Sequence, residues 1–332
     1  MKMLIHLIGS IAFAAVLAGQ PAQAEEVPIK IVMSSTPSFT WTPFLVAQNT
    51  TFGPLQKKLG RKIEVTYSPT TTPAILGLIA GDYDFGVAYV QHAIKAQSEG
   101  KDIVVLANMM DNPTAALVVR EDEPDIKTPK DLKGKVVGVV SLGSGHHLIG
   151  LAVAEAYGLK PDDVTFRSTG GISGWVPAMR SKRVDAIIVS EPTLSQLLNE
   201  HLGRILIDFH RRDATEQVFK GPHPTVALLA RREYVKAHPE VAKAVVEAQV
   251  EALHWIAQHK PADVAQKLPD NLKNRPDAVK ILTRVMPAIS TTGRTTPEAI
   301  KVTTGWLQKM GDVSKDVTVD PAKVLDFEFL PK

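Results

Sequence analysis

Short, unbroken apolar runs rich in Val and Ile alternate along the chain with segments whose apolar residues recur every three or four positions. Runs of the first kind lie at 29–35 (IKIVMSS), 63–68 (IEVTYS), 84–90 (DFGVAYV) and 103–109 (IVVLANM). They return at 135–141 (KVVGVVS), 164–168 (VTFRS), 185–189 (DAIIV) and 204–209 (RILIDF). Strands covered on both faces read this way. The stretches 44–59, 74–80, 91–98, 146–157, 176–180 and 193–201 between them carry helical periodicity, as in Leu148, Leu151, Ala152 and Ala156.

The element order of the first half is repeated in the second. Val65-Thr66-Tyr67 answers Val164-Thr165-Phe166, and Asp84 precedes its apolar strand as Asp185 precedes its own. With 332 residues and about 150 per domain, two α/β lobes are expected, each a mostly parallel sheet flanked by helices. After Phe209 the pattern changes to one extended segment at 224–231 followed by helices. The longest starts at Pro239, with Val241, Val245, Ala248, Ala252 and Trp255 as its apolar stripe. Shorter ones are expected around 263–268, 277–285 and 297–310. This tail has too few strands for a third lobe and is expected to cover the first. The chain then crosses between lobes twice, near 112–120 and 222–231, which makes a hinge with a cleft opposite. The expected division is 25–114 plus 225–332 for one lobe and 115–224 for the other.

Residues 1–24 have the features of a cleaved secretory signal: Lys2, a largely apolar run over 3–17, and Ala22-Gln23-Ala24 before Glu25-Glu26. The apolar run is shorter than the ~20 residues that span a bilayer. A periplasmic protein is expected, without a lipid anchor, because no cysteine is available to carry one. The same lack excludes disulfides, thiol nucleophiles and Cys-type metal sites. Lys and Arg number 38 against 35 Asp and Glu, spread along the chain, so nucleic acid is not expected as a partner.

Several familiar motifs fail on inspection. The run from Gly143 to Gly150 (GSGHHLIG) follows a strand and opens a helix, but it reads GxGxxxxG. Arg167-Ser168 stands where a ribose-binding carboxylate would be needed. Ser144 beside His146 lacks a GxSxG elbow. His146 and His147 point about 100° apart on a helix, and His254 and His259 also diverge, so no metal or other cofactor is expected. The His-Pro pairs at His223 and His238 are read as loop or helix-start residues.

Ligands of open α/β sheets sit beyond the carboxyl ends of strands. The loops at those positions are rich in hydroxyl and small residues, and several open onto helix N-termini that suit anions. Single Ser or Thr residues there are ordinary N-caps, but the same chemistry recurs in every such loop. The candidate ligand residues are Ser35, Thr36, Trp41, Ser68, Thr70 and Gln91 from the first half. The second half contributes Gly143, Ser144, Gly145, Thr169, Trp175 and Glu191. Glu191 has a second reading, as a partner of Arg180 or Arg183.

The run Asp131-Leu132-Lys133-Gly134-Lys135-Val136-Val137-Gly138-Val139 with Gly143-Ser144 resembles the substrate-binding proteins of bacterial ABC importers, in the nitrate/sulfonate/taurine family. The likeness continues through Gly158-Leu159-Lys160-Pro161-Asp162-Asp163-Val164 and Arg183-Val184-Asp185-Ala186 to Ser190-Glu191-Pro192. It implies a two-lobed periplasmic-binding-protein fold of type II, monomeric, that captures a small anionic solute and delivers it to a transmembrane permease with its ATPase. The family's ligand loops fall on 34–37, 68–71, 143–145 and 190–192. Relatives carry an acidic, Gly-Phe-Phe stretch where this chain has Thr51-Phe52-Gly53-Pro54-Leu55, which leaves sulfonates, nitrate-like anions, carboxylates and heterocycles open. A secreted hydrolase or synthase on the same scaffold, and a ligand-sensing partner of a membrane receptor, are the alternatives.

Overall fold

The structure, a computed structural model, describes residues 27–68 and 70–331. The expected signal segment lies outside the described residues. Among the described residues, ten strands form two five-stranded sheets. Strands β1 (Ile29–Met33), β2 (Ile63–Tyr67), β3 (Phe85–Tyr89) and β4 (Ile103–Asn108) belong to the first. Strands β5 (Ala115–Arg120), β6 (Val136–Val139), β7 (Thr165–Ser168), β8 (Ala186–Ser190) and β9 (Gly203–Asp208) form the second. Strand β10 (Val226–Arg231) returns to the first.

The two strand orders, β2-β1-β3-β10-β4 and β7-β6-β8-β5-β9, are equivalent position by position. In each sheet the strand from the crossing is the one that runs antiparallel to both neighbours, β10 between β3 and β4, β5 between β8 and β9. Both slip register against their outer partner, at Leu228/Leu229 and at Leu117/Val118. Each sheet is therefore mostly parallel as expected, with four strands running one way and the crossing strand against them. The stretch expected at 112–120 as a plain crossing is largely a strand, because its apolar run AALVVR is buried on both faces.

Period-two alternation divides each sheet between two apolar layers. In the first lobe Val226, Leu228 and Ala230 pack on one side with Ile29, Ile31 and Phe85, while Ala227 and Leu229 pack on the other with Ala88, Ile103 and Val105. In the second, Leu117 and Ile188 face one layer and Val118 and Ile187 the other. The helix Pro239–Gln258 buries Val245, Ala248 and Ala252 in the first lobe, with Val241 and Trp255 at the margin.

The C-terminal helices do not cover the first lobe alone. On the helix Pro297–Met310, Ile300 and Leu307 join the first lobe's core, whereas Trp306 enters the second lobe's and donates Nε1–H to the Phe219 carbonyl at 3.2 Å. Lys309 on the same helix pairs with Glu155 of the second lobe at 2.5 Å. One helix thus touches both lobes, because its 3.6-residue period aims residues 306 and 307 about 100° apart.

No helix among the described residues is long and apolar enough to cross a membrane.

Candidate functional site

The carboxyl ends of β1, β3, β6 and β8 converge on a cavity of about 490 Å³. Its walls come from both lobes. Ser34, Ser35, Trp41, Thr70, Thr71, Tyr89 and Gln91 stand on one side, and Val140, Ser141, Ser144, Gly145, His146, Leu148, Ile149 and Ser190 on the other. Pro113, Thr114 and Ala115 from the first crossing and His223 and Thr225 from the second complete the lining. The crossings are tied together there: Thr225 donates its N–H to the Met110 carbonyl at 3.0 Å and its hydroxyl to the Asn112 carbonyl at 3.1 Å. Thr114 and Thr40 share a hydroxyl–hydroxyl bond of 2.9 Å.

Half of the lining residues carry a hydroxyl, and among the described residues no Asp, Glu, Lys or Arg lines the cavity. Recognition there must rest on dipoles and shape. Three helices begin at the cavity, Thr71–Ala80, Val90–Ser98 and Gly145–Ala156, so the positive ends of three helix dipoles lie beside it, although Val90 N–H is taken by the Thr225 carbonyl at 2.6 Å and His147 N–H by the Ser144 hydroxyl. The buried Ser34 hydroxyl has no hydrogen-bond partner. A buried polar group left unpaired costs about 1–3 kcal/mol, and a bound polar solute would remove that cost.

The titratable groups at the site are held uncharged. Burial pushes the Tyr89 phenol up to about 12, so it stays a donor, and its ring meets Trp41 edge-on at 5.4 Å. Burial pushes His146 down to about 4 and His223 down to about 3. His146 Nε2 shares a hydrogen bond of 3.0 Å with the Ser190 hydroxyl, and its ring lies 5.2 Å from that of Trp175. His223 stacks on Phe219 at 3.9 Å, with Nδ1 3.2 Å from the Thr303 hydroxyl.

The loop 143–147 closes on itself. The Ser144 side chain accepts from His147 N at 3.3 Å, and Gly143 N donates to His147 Nδ1 at 3.0 Å. Gly143 has φ of +81°, which a side-chain-bearing residue adopts only with strain. Gly150 serves packing: a Cβ there would lie 2.4 Å from the Phe166 ring. The spacing that resembled a nucleotide fingerprint is a tight loop followed by a helix–strand contact.

Of the twelve residues expected from the sequence, Ser35, Trp41, Thr70, Gln91, Ser144 and Gly145 are brought together around this cavity. Gly143 stands outside the cavity lining and borders a neighbouring groove between the helices Thr71–Ala80 and Val90–Ser98. Thr36 is exposed and stands outside the lining. Ser68 donates to the Thr70 carbonyl at 2.7 Å, and Thr169 donates to the Val139 carbonyl at 3.0 Å, so both hydroxyls are engaged by local backbone. Trp175 is buried in the second lobe's core, with its Nε1–H unpartnered. Glu191 is buried too, and accepts from Ser195 N and Oγ at 3.0 Å each and from Arg284 at 2.5 Å, not from Arg180 or Arg183.

The sequence reading omitted Thr114, Thr225, His146 and His223 from the candidates. Thr114 and Thr225 sit at the two crossings, and that position is the signal that could have found them. His223 shares the second crossing with Thr225, and His146 directly follows the candidates Ser144 and Gly145, so the same positional signal reached both; reading every histidine as a loop or helix-start residue set it aside.

Two like lobes that exchange a strand, with a cavity at their strand ends and both crossings in its lining, define the two-lobed binding-protein class. The chain belongs to the NMT1/THI5-like family, whose profile matches residues 38–262. It is 27% identical over 328 residues to the taurine-binding periplasmic protein of Escherichia coli K12, covering 92% of each chain. Among solved structures it is similar to the alkanesulfonate-binding protein SsuA of Xanthomonas axonopodis pv. citri, solved bound to MOPS. That likeness has 20% identity and a TM-score of 0.69, over 92% of this chain and 99% of the other. It is also similar to the periplasmic nitrate-binding protein NrtA of Synechocystis PCC 6803, at 15% identity and a TM-score of 0.64, over 91% and 86%. These structural likenesses establish the fold.

Proposed function

We propose that this protein is an exported, periplasmic solute receptor without catalysis. It captures a small sulfonate-, taurine- or nitrate-like anion between its lobes and hands it, as a monomer, to an ABC permease and its ATPase. The observation that carries this reading is the hydroxyl-rich cavity, free of charged side chains among the described residues and set between lobes joined by two crossings. Opening and closing about such crossings lets a solute favour the closed state by the contacts it makes with both walls. The helix starts at Thr71, Val90 and Gly145 supply N–H dipoles for an anion, and no carboxylate among the described lining residues opposes it. The relatives named above, which carry taurine, alkanesulfonate and nitrate in their descriptions, support the solute class.

The enzyme alternative meets a chemical obstacle. The Ser190–His146 pair is a hydroxyl beside an imidazole, but a histidine held near 4 is a weak base at neutral pH, and among the described residues no carboxylate lines the cavity to support it. Titration calorimetry of ligand-stripped protein against taurine, short alkanesulfonates, nitrate, carboxylates and pyrimidines tests the reading. Saturable binding of one anion without turnover is expected. Turnover of a substrate, or preference for a cation, would overturn it.

A further inference from the structure

Side chains alternate along the second crossing. Pro222 and Pro224 line a groove outside the cavity, whereas His223 and Thr225 line the cavity itself, because an extended backbone sends successive side chains to opposite faces. His223 is buried, and its ring is held on both sides by groups outside the cavity: it stacks on Phe219, and Nδ1 meets the Thr303 hydroxyl.

The hydrogens of this pair follow from its partners. On the helix Pro297–Met310, the Thr303 hydroxyl lies 2.9 Å from the Ala299 carbonyl and 3.2 Å from His223 Nδ1. A carbonyl only accepts, so the single hydroxyl hydrogen goes to Ala299, and the hydrogen between Thr303 and His223 belongs to the imidazole. Burial keeps the ring neutral by pushing it down to about 3, so it carries one N–H, on Nδ1. Nε2 is then a bare lone pair, with no hydrogen-bond partner among the described residues. Thr225 spends its own hydroxyl hydrogen on the Asn112 carbonyl at 3.1 Å, which leaves its oxygen as an acceptor too. The unpartnered Ser34 hydroxyl, by contrast, can turn to either role.

We infer that the second crossing is a specificity-determining edge: His223 Nε2 and the Thr225 oxygen require the captured anion to carry, besides its acid group, a hydroxyl or amide N–H that donates to them. This rests on the receptor reading above and adds a second recognition element to it. A solute that places a lone pair or a methyl group there leaves a buried acceptor unpaired. A neutral donor is favoured over an ammonium, because no carboxylate among the described lining residues balances a second charge. Thr303 is a positioning residue: it stands outside the lining and acts by holding the imidazole in one tautomer.

Nitrogen NMR of the histidine-labelled full chain reads the tautomer, with His223→Phe identifying the resonance by its loss. Protonated Nδ1 and bare Nε2 are expected, and Thr303→Val should populate the other tautomer. Calorimetry of ligand-stripped protein then compares size-matched pairs, isethionate with propanesulfonate and glycolate with propionate. In the wild type the hydroxyl member of a pair is expected to bind about tenfold tighter, the return from one hydrogen bond to an acceptor otherwise left unpaired. That ratio should fall below about threefold in Thr303→Val and in His223→Phe, which keeps a ring to stack on Phe219. A wild-type proton on Nε2, equal binding within both pairs, or a ratio that both variants retain would overturn the acceptor edge alone. So would binding of nitrate but of neither hydroxyl acid. Failure of both pairs, nitrate and taurine alike to bind at millimolar concentration would overturn the receptor reading and the edge with it.

Discussion

The guanidinium of Arg284 donates to the carboxylate of Glu191 at 2.5 Å, linking the helix Ala278–Val285, packed on the first lobe, to the residue that follows β8 in the second. The pair is removed from water, with side-chain exposures of 17% and 1%. Lys280, one turn earlier, donates to Asn199 Oδ1 at 2.9 Å, so two residues of one helix hold the other lobe. Glu191 thus acts through its neighbour: Ser190, which lines the cavity, is fixed beside a buried ion pair.

A buried carboxylate that loses its cation costs far more than an exposed one. Arg284→Leu is expected to lower unfolding free energy by about 3–5 kcal/mol, and Glu191→Leu/Arg284→Leu to recover most of that, since the double variant leaves no charge stranded. Urea denaturation of the two single variants and the double one measures this. A double variant as unstable as Arg284→Leu would show that packing, not charge, holds the junction.

Acid should destabilise the fold before its carboxylates titrate. Burial pushes His92 and His146 down to about 4 and His223 down to about 3, with the nearby Lys95 ammonium adding to the effect at His92. Unfolded histidine takes a proton near 6.5, so between that pH and about 4 the unfolded chain binds protons that the folded chain refuses. Stability is full above pH 6.5 and falls as pH drops, by up to about 1.4 kcal/mol per pH unit for each histidine. Denaturation midpoints at pH 7, 6 and 5 should decrease in that order. Constant midpoints would contradict the buried neutral imidazoles.

The same neutrality predicts that affinity for whichever anion binds in the calorimetric screen is unchanged within about twofold from pH 6 to 8. Neither His146 nor His223 gains a proton in that range, and Tyr89, pushed up to about 12, loses none. A tenfold change by calorimetry would mean that a titrating group takes part.

Ser144→Ala removes both an N-cap and a lining hydroxyl. Stability should fall by about 1 kcal/mol, and solute affinity by about 1–2 kcal/mol if one hydrogen bond is lost. Loss of stability with unaltered affinity would assign the hydroxyl to the cap alone.

Gly150→Ala places a Cβ 2.4 Å from the Phe166 ring, in a contact between the helix Gly145–Ala156 and β7. A destabilisation of about 1–3 kcal/mol is expected from the overpacking. A thermal midpoint equal to wild type would mean that the Phe166 ring moves aside freely.

Much of the fold was legible because strand and helix periods are local properties. The run IVVLANM needs both faces covered whatever surrounds it, and β4 lies within it, wholly buried. The segment AALVVR was equally apolar, but nothing in six residues says which sheet it joins or in which direction. Pairing with β8 and β9 decides that. The site was legible to the level of loops. Ser68 and Ser144 are the same residue type in loops that follow strands, β2 and β6, yet one hydroxyl bonds its own turn and the other lines the cavity.

The amino-acid order by itself determined that there would be two repeated α/β units and hydroxyl-rich loops at the strand ends, since each follows from spacing within a few residues. Only the tertiary structure decided that the crossing strands would lie antiparallel inside the sheets, that Glu191 would meet Arg284, and that helix Pro297–Met310 would touch both lobes. Those outcomes join groups dozens of residues apart. They are settled by which partner satisfies a buried charge or an open backbone edge, a competition in which local pattern has no vote.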